Sequence, residues 1–484
     1  MNNYFPKSFH ALINSAQKAL DQGRIDTSLC IIHDFVERII TEPVCASQIF
    51  SSYELDKMCM RIGRQNLASL CVKQENLCPF RAGRPRVIYI VSRMQRSGGH
   101  SRLVQDFIRA QPEKDHLILL TGIAGPSDAD YFSKVFAGNN SVCFMAAPRK
   151  DFRSRLSWLQ NIMVDCHPDH IYLLNHHQDS VAVAALVPEL GLSGSFVHHG
   201  DHHLCLGIHL DHLTHIDLHP MGYHYCRDKL DIDNKYLPLT FEDKPAVARQ
   251  AKFKSDGYLI TATAARSNKV EIAYYASYLD VIPQVLKATQ GRHIHIGKLT
   301  AWALRRMRSQ MGKLGVAKDR LIYIEWTPSV WSSLQEYGVN IYIASFPYGA
   351  GLTLIEAMGA GVPVVLHRHM YSRVLSGLEL AYAEAFNWTE PEELVNYLGA
   401  LIPENIDFES KLSRIHYEKY HHPDILRSYL RDPTSIQLDI PPLNLVFKPR
   451  LDEWAHWTEM QFNFSRLIYR TFYRIFRKLR RLTS

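Results

Sequence analysis

The sequence predicts an α/β protein with two doubly wound parallel sheets in succession. Three observations lead there. Short apolar segments alternate with helical ones from residue 86 to about 245, and again from 255 to about 400. A polar stretch, Glu242 to Asp256, divides the two series. Within the second series, Ser345-Phe-Pro-Tyr-Gly-Ala-Gly-Leu-Thr-Leu-Ile-Glu-Ala-Met-Gly-Ala-Gly-Val-Pro-Val-Val365 reads as strand end, glycine-rich turn, helix and strand. Such a turn presents backbone N–H groups and a helix N-terminus at the carboxyl edge of a parallel sheet, where an anion binds.

Residues Phe5 to about Leu77 read as helical, with apolar runs Phe9-x-x-Leu12-Ile13-x-x-Ala16 and Leu29-x-Ile31-Ile32-x-x-Phe35-Val36. They break near Gln22-Gly23 and Pro43. A helical accessory domain over 1–80 is expected, offering a surface for protein partners. Pro79 to Pro85 follows as a linker. The first sheet domain, 86–245, has predicted strands Arg86–Val91, His116–Leu120, His170–Leu174 and Gly194–Val197, with a helix over Leu103–Ala110. The second, 255–420, has predicted strands Tyr258–Ala262, Arg292–Ile296, Leu321–Ile324, Asn340–Ile343 and Val362–Val365. A cleft between two such domains is the economical expectation. A helical return segment, 421–460, precedes a basic tail, 461–484.

Composition narrows the class. With 46% hydrophobic and 21% charged residues among 484, the chain is globular. No apolar run of about 18 residues predicts a membrane span, and Met1 to Phe9 lacks a signal-peptide pattern. Nine cysteines at irregular spacing point to reduced thiols in a cytoplasmic protein. The net charge of +7 sits in the tail. Arg466, Arg470, Arg474, Arg477, Lys478, Arg480 and Arg481 lie there with no acid. Phe464, Ile468, Phe472, Ile475, Leu479 and Leu482 form an apolar stripe opposite them, so 461–484 predicts an in-plane helix on an anionic membrane surface. The alternative is a terminal helix docked on its own core. No base-reading or base-stacking motif accompanies the charge, so nucleic acid is not an expected partner.

Several motifs carry chemistry. In the opening segment, Tyr348, Gly349, Gly351, Leu352 and Thr353 would line a phosphate site, and Glu356 lies within reach of a ribose diol. Ser97-Gly98-Gly99-His100 occupies the first βα turn, where paired glycines let substrate approach the backbone. His198-His199-Gly200-Asp201-His202-His203 follows a strand, and nine of the 25 histidines fall between His198 and His224. His199 and Asp201 are the candidates to take a proton from an attacking hydroxyl; hydrogen-bonded polar residues at a domain face are the plain alternative. His100, His176, His177 and His198 are candidate acceptor contacts. Asn175 to Asp179 reads equally as a helix start capped by Asp179. His-x-x-His spacings occur at His199/His202, His209/His212 and His212/His215, but no matched cysteine–histidine set closes a site, and no metal is expected. Trp326, Trp331 and Tyr348 are candidates for an aromatic surface under a base or sugar, with core packing as the commoner role.

The 345–365 segment looks like the donor-binding signature of GT-B glycosyltransferases. Leu321 to Val365 resembles the matching stretch of O-linked N-acetylglucosamine transferase-like enzymes: strand, Trp326-Thr-Pro turn, aromatic-rich helix, strand, Phe-Pro-Tyr-Gly, then Glu-Ala and Gly-Val-Pro-Val-Val. It is also similar to retaining lipopolysaccharide- and sucrose-type glycosyltransferases, which carry two glutamates here. The second matches Glu356; the first position is Tyr348. The resemblance covers about residues 86 to 400. It implies a GT-B fold of two Rossmann-like domains and a loop cation on the leaving diphosphate, matched by Lys269 with Arg266 beside it. It implies Gly98 and Gly99 facing the donor, the base lying between Lys298-like and Trp326-like positions, and transfer without metal or other cofactor.

The expected activity is transfer of a sugar from a nucleotide-sugar, UDP-linked, to a hydroxyl of a lipid-linked glycan in bacterial surface polysaccharide synthesis, such as lipopolysaccharide or capsule. The enzyme would be peripheral at the inner face of the plasma membrane. A protein glycosyltransferase and a non-catalytic GT-B scaffold at the membrane are the alternatives.

Overall fold

The computed structural model describes residues 7–42, 45, 47–70, 78–80, 83–96, 99–244, 258–349, 351–433, 439–440, 443, 448–460, 472 and 475. The chain forms two compact units, Met1–Leu237 and Pro238–Ser484. The expected divider, Glu242 to Asp256, lies largely outside the described residues. So do Gly98 and, apart from Phe472 and Ile475, the tail 461–484.

The first unit carries a seven-stranded sheet. Its strands are β1 (Arg86–Val91), β2 (Asp115–Leu120), β3 (Val142–Ala146), β4 (His170–Leu174), β5 (Gly194–His198), β6 (Thr214–Asp217) and β7 (Asn234–Tyr236). All neighbours pair in parallel, in the order β3-β2-β1-β4-β5-β6-β7. Continuous apolar strands such as Val87-Ile-Tyr-Ile-Val91 suit a sheet covered on both faces. The order reverses between β1 and β4, which opens a crevice at their carboxyl ends.

The expected accessory domain over 1–80 is not a separate body. Helices Lys7–Asp21, Ile25–Ile40 and Tyr53–Ala68 share the first unit's core, where Leu29, Ile32, Leu55 and Ile62 join Ile88, Leu117, Leu159 and Val183. A chain of amphipathic helices buries its stripe on the nearest apolar layer. Polar groups complete the join: Ser180 Oγ donates to the Leu29 carbonyl at 3.0 Å, and His33 Nδ1 reaches the Gln178 carbonyl at 2.9 Å. Contact is closest at Gly63, where a Cβ would lie 1.9 Å from the Ala184 carbonyl oxygen. A methyl cannot fit there without separating two backbones. Gly63→Ala should therefore lower stability by about 1–2 kcal/mol despite alanine's higher helix propensity. Gly312→Ala, in a helix where a Cβ meets nothing within 4 Å, should instead raise it by about 0.5–1 kcal/mol. Urea unfolding of the two variants checks the opposed signs.

The second unit repeats the winding with six strands: β8 (Ile260–Ala264), β9 (Arg292–Ile296), β10 (Leu321–Ile324), β11 (Ile341–Ile343), β12 (Val364–His367) and β13 (Asn387–Trp388). They are parallel in the order β10-β9-β8-β11-β12-β13. Here the order reverses between β8 and β11. The alternate histidines of β9 are core residues, because the Tyr278 hydroxyl meets His293 Nε2 at 2.9 Å and His295 Nδ1 at 2.7 Å. The expected return segment, 421–460, belongs to this unit: Trp454, from helix Leu451–Met460, is buried in its core.

Among the described residues no helix is long and apolar enough to cross a membrane, and no disulfide joins the eight described cysteines.

Candidate functional site

In the second unit, the loops after β8 and β11 meet at the crevice. β8 ends at Ala264, and a short helix, Ser267–Val270, carries Lys269. Its Nζ donates to the Gly349 carbonyl at 2.6 Å. In return the Tyr348 N–H donates to the Lys269 carbonyl at 3.3 Å. Ser345 Oγ donates to the Tyr348 carbonyl at 2.7 Å and tightens the loop. Gly349 is obligatory for packing, since a Cβ would lie 2.9 Å from the carbonyl oxygens of both Leu375 and Ser376. Behind this loop, helix Leu352–Gly359 opens at Gly351 with no side-chain cap, leaving its N-terminus to an anion. Burial pushes the Lys269 ammonium down to about 8. Among the described residues no carboxylate pairs with it. A desolvated cation lacking a counter-ion beside an uncapped helix start is a site built for negative charge.

The remaining donor candidates divide. Arg266 is exposed at the start of the short helix. Thr353 accepts from the Tyr342 hydroxyl at 2.9 Å, which ties the helix to β11. Glu356 is buried, and its Oε2 accepts the Trp331 N–H at 3.0 Å, at the start of helix Val330–Glu336. Its carboxylate therefore joins two helices, whatever else it contacts. Trp331 is a core residue, the commoner of the two roles weighed for it. It is 0% exposed, and a Cβ on Gly359 would lie 2.0 Å from its ring. Trp326 is exposed. Gly297, at φ +125°, sits so close to Ala265 that a Cβ would lie 2.1 Å from the Ala265 carbonyl oxygen. Glycine alone accepts both constraints.

In the first unit, the crevice between β1 and β4 is organised by Asp179. Its Oδ2 accepts from Ser92 Oγ and Thr121 Oγ1, both at 2.6 Å, and its Oδ1 accepts the Ala182 N–H at 2.9 Å as N-cap of helix Ser180–Ala185. Ser92 Oγ in turn accepts the His176 N–H at 2.8 Å. This buried knot fixes the loops that carry the histidines. His100, in helix Gly99–Arg109, donates Nε2–H to the Leu174 carbonyl at 2.7 Å. Its ring stacks on His199 at 4.3 Å and 9°, and lies 4.8 Å from His176. Arg93 Nε donates to His176 Nε2 at 3.2 Å.

Electrostatics set the protonation of this cluster. Burial pushes His100 down to about 4 and His176 down to about 3, and holds His199 well below the usual imidazole range. All three are neutral at pH 7, each with one ring nitrogen free of a proton. Asp201 stays ionised: burial raises it, but the hydrogen bond from His202 and the nearby His219 outweigh that. His177 packs against Gly200, where a Cβ would lie 2.8 Å from its Nε2. His198 departs from expectation. It is 1% exposed, and its Nδ1 donates to Asp217 Oδ1 at 2.8 Å, so it is a core residue rather than an acceptor contact.

No protein-family profile matches the sequence, and no curated protein does. Solved structures match by shape. One is a lipopolysaccharide outer core galactosyltransferase, WaaB, in its apo form. At 12% identity it covers 72% of this chain and 99% of its own, with a TM-score of 0.53. Another is Anabaena HepE in complex with UDP and glucose, at 12% identity, the same coverage and a TM-score of 0.51. The chain has the GT-B fold.

Within this GT-B chain, both candidate clusters stand at switch points, one in each sheet. Sequence reading missed Arg93, which lies two residues past β1; that position in a first βα turn was the available signal. It also missed Asp217 and Cys226, which lie in a histidine-rich segment where no strand or helix was predicted. The loop around Leu375 and Ser376 gave no signal, because it contributes only backbone.

Proposed function

We propose that the protein is a glycosyltransferase. The second unit would hold a UDP-linked sugar, and the first would hold the acceptor hydroxyl. The observation that carries this reading is the Lys269–Gly349 pair in front of the helix that opens at Leu352. As the bond from the sugar to the diphosphate breaks, one further negative charge develops on the terminal phosphate of the leaving group. The partly buried Lys269 ammonium and helix-end amides would stabilise it without metal. The acceptor oxygen bonds to the sugar and gives its proton to His199 or Asp201, with His100, His176 and His177 lining the acceptor side. UDP binding by HepE, which shares the fold, supports the choice of nucleotide. The basic tail supports a lipid-linked glycan as acceptor and a place at the inner membrane face, with the product serving surface polysaccharide such as lipopolysaccharide or capsule.

A thermal-shift panel of UDP-, GDP-, ADP- and CMP-sugars tests the reading. Ligands that bind only the folded state raise the melting temperature by mass action. A selective rise with UDP-sugars is expected, and no rise with any nucleotide would remove the proposal.

A further inference from the structure

Apart from the crevice, the first unit contains a second convergence of metal-ligating groups, fully buried. His198 ends β5. His215 and Asp217, two residues apart on β6, share one face of that strand. Cys226 comes from helix Pro220–Leu230. One ligand atom from each lies within 4.8 Å of all the others, and the four residues are at most 4% exposed.

We propose that these four residues bind a structural zinc ion. Two of the spacings suit one: His198 Nδ1 stands 3.7 Å from Cys226 Sγ, and His215 Nε2 stands 3.3 Å from Asp217 Oδ2. The third, His198 Nδ1 to Asp217 Oδ1 at 2.8 Å, is a hydrogen bond that lengthens as the imidazole gives up its proton to ligate the ion. Around a tetrahedral zinc, with bonds of about 2.0 Å to N or O and about 2.3 Å to S, ligand atoms stand roughly 3.3–3.7 Å apart. A set of two imidazoles, one carboxylate and one thiolate matches zinc's preferences.

Hydrogen bonding leaves part of the cluster unexplained. Despite its closeness to Asp217, His215 Nε2 makes no hydrogen bond, and neither does His215 Nδ1. Buried polar atoms without partners are costly, and a cation supplies the missing partner for Nε2. Asn234 Nδ2 donates to Asp217 Oδ2 at 2.6 Å, the kind of outer contact that orients a ligating carboxylate. The trio His100, His176 and His199 also converges. It differs in kind, because Arg93 occupies His176 Nε2 and two of its rings stack face to face. Four protein ligands leave no open position, so the ion would be structural. It would clamp β5, β6 and the following helix, immediately before the His199–Asp201 loop. The proposal differs from the sequence expectation of no metal.

The test uses tag-free full-length protein grown with zinc, dialysed, and analysed by inductively coupled plasma mass spectrometry. About one zinc per chain is expected, and a strong chelator should lower the melting temperature as bound metal is withdrawn. Cobalt-loaded protein should show a thiolate-to-cobalt charge-transfer band in the near-ultraviolet that Cys226→Ser loses. Because Cys226→Ser could misfold, the wild-type stoichiometry and chelator response stand as independent readouts. Substoichiometric zinc with an unchanged melting temperature overturns the proposal. So does stoichiometric cobalt lacking the thiolate band.

Discussion

Replacing Lys269 by Met should lower kcat/KM for sugar transfer by about 10²–10³-fold, the usual cost of removing one preorganised charge from a developing anion. The stem remains, so the half-buried site stays filled, but the ammonium that donates to Gly349 is gone. Lys269→Arg should recover little, because a planar guanidinium cannot occupy the seat of a compact ammonium. The pH dependence follows from burial. Desolvation lowers this lysine from its ordinary value of 10.5 to about 8. Below about pH 8 it is charged and, on the proposed function, would hold diphosphate; above that the charge is lost. UDP affinity measured by calorimetry should therefore weaken as pH rises through about 8 and become flat in Lys269→Met. The stability term has the opposite sign. The unfolded chain binds the extra proton between about pH 8 and 10.5, so this group's contribution to stability improves as pH rises across that window. Unchanged transfer in Lys269→Met would remove the charge-stabilising role.

Asp56→Ala should destabilise the protein by about 3 kcal/mol and lower its melting temperature by roughly 10 °C. Asp56 lies on helix Tyr53–Ala68, and its two oxygens accept the N–H groups of Gly207 at 2.7 Å and His209 at 3.0 Å. Alanine would leave two buried donors without an acceptor. Burial raises the Asp56 carboxyl to about 7, and the two N–H donors only partly oppose it. Between about pH 4 and 7 the folded state therefore holds a proton that the unfolded chain has released. The sign follows: this group's contribution falls as pH rises across that window and is constant above it. Thermal melts of wild type and Asp56→Asn from pH 4.5 to 8 check this, since the asparagine variant should lack that part of the slope. Equal stability of wild type and Asp56→Ala at pH 7.5 would show that the two N–H groups find other partners.

Strand legibility tracked hydrophobicity. β1, β4, β9 and β10 match their predicted bounds, because runs such as Ile-Tyr-Ile and Tyr-Leu-Leu leave little else to form. β2, β5 and β11 missed by one residue at an end, and β8 and β12 start and finish two residues later than predicted. β3, β6, β7 and β13 were not predicted. β6, Thr214-His-Ile-Asp217, reads as polar loop, and its histidine and aspartate are buried only because partners from β5 and the next helix satisfy them. The helical pattern of the first 70 residues was legible, but their membership of the first unit was not. Periodicity marks an apolar face without saying what covers it.

For the candidate site, the linear order of residues determined the glycine-rich loop almost completely. The strand, the glycines, Thr353 and the helix are contiguous, so local chemistry shapes them. Lys269 was named from resemblance, and its bond to Gly349 joins residues 80 positions apart. Tertiary structure alone decided which histidines face the crevice and which are core. His198 and His199 are neighbours in sequence, yet one is buried against Asp217 and the other stacks on His100. At the end of a strand successive side chains leave on opposite faces. Which face meets a partner depends on what the rest of the chain packs there, and no local pattern records that.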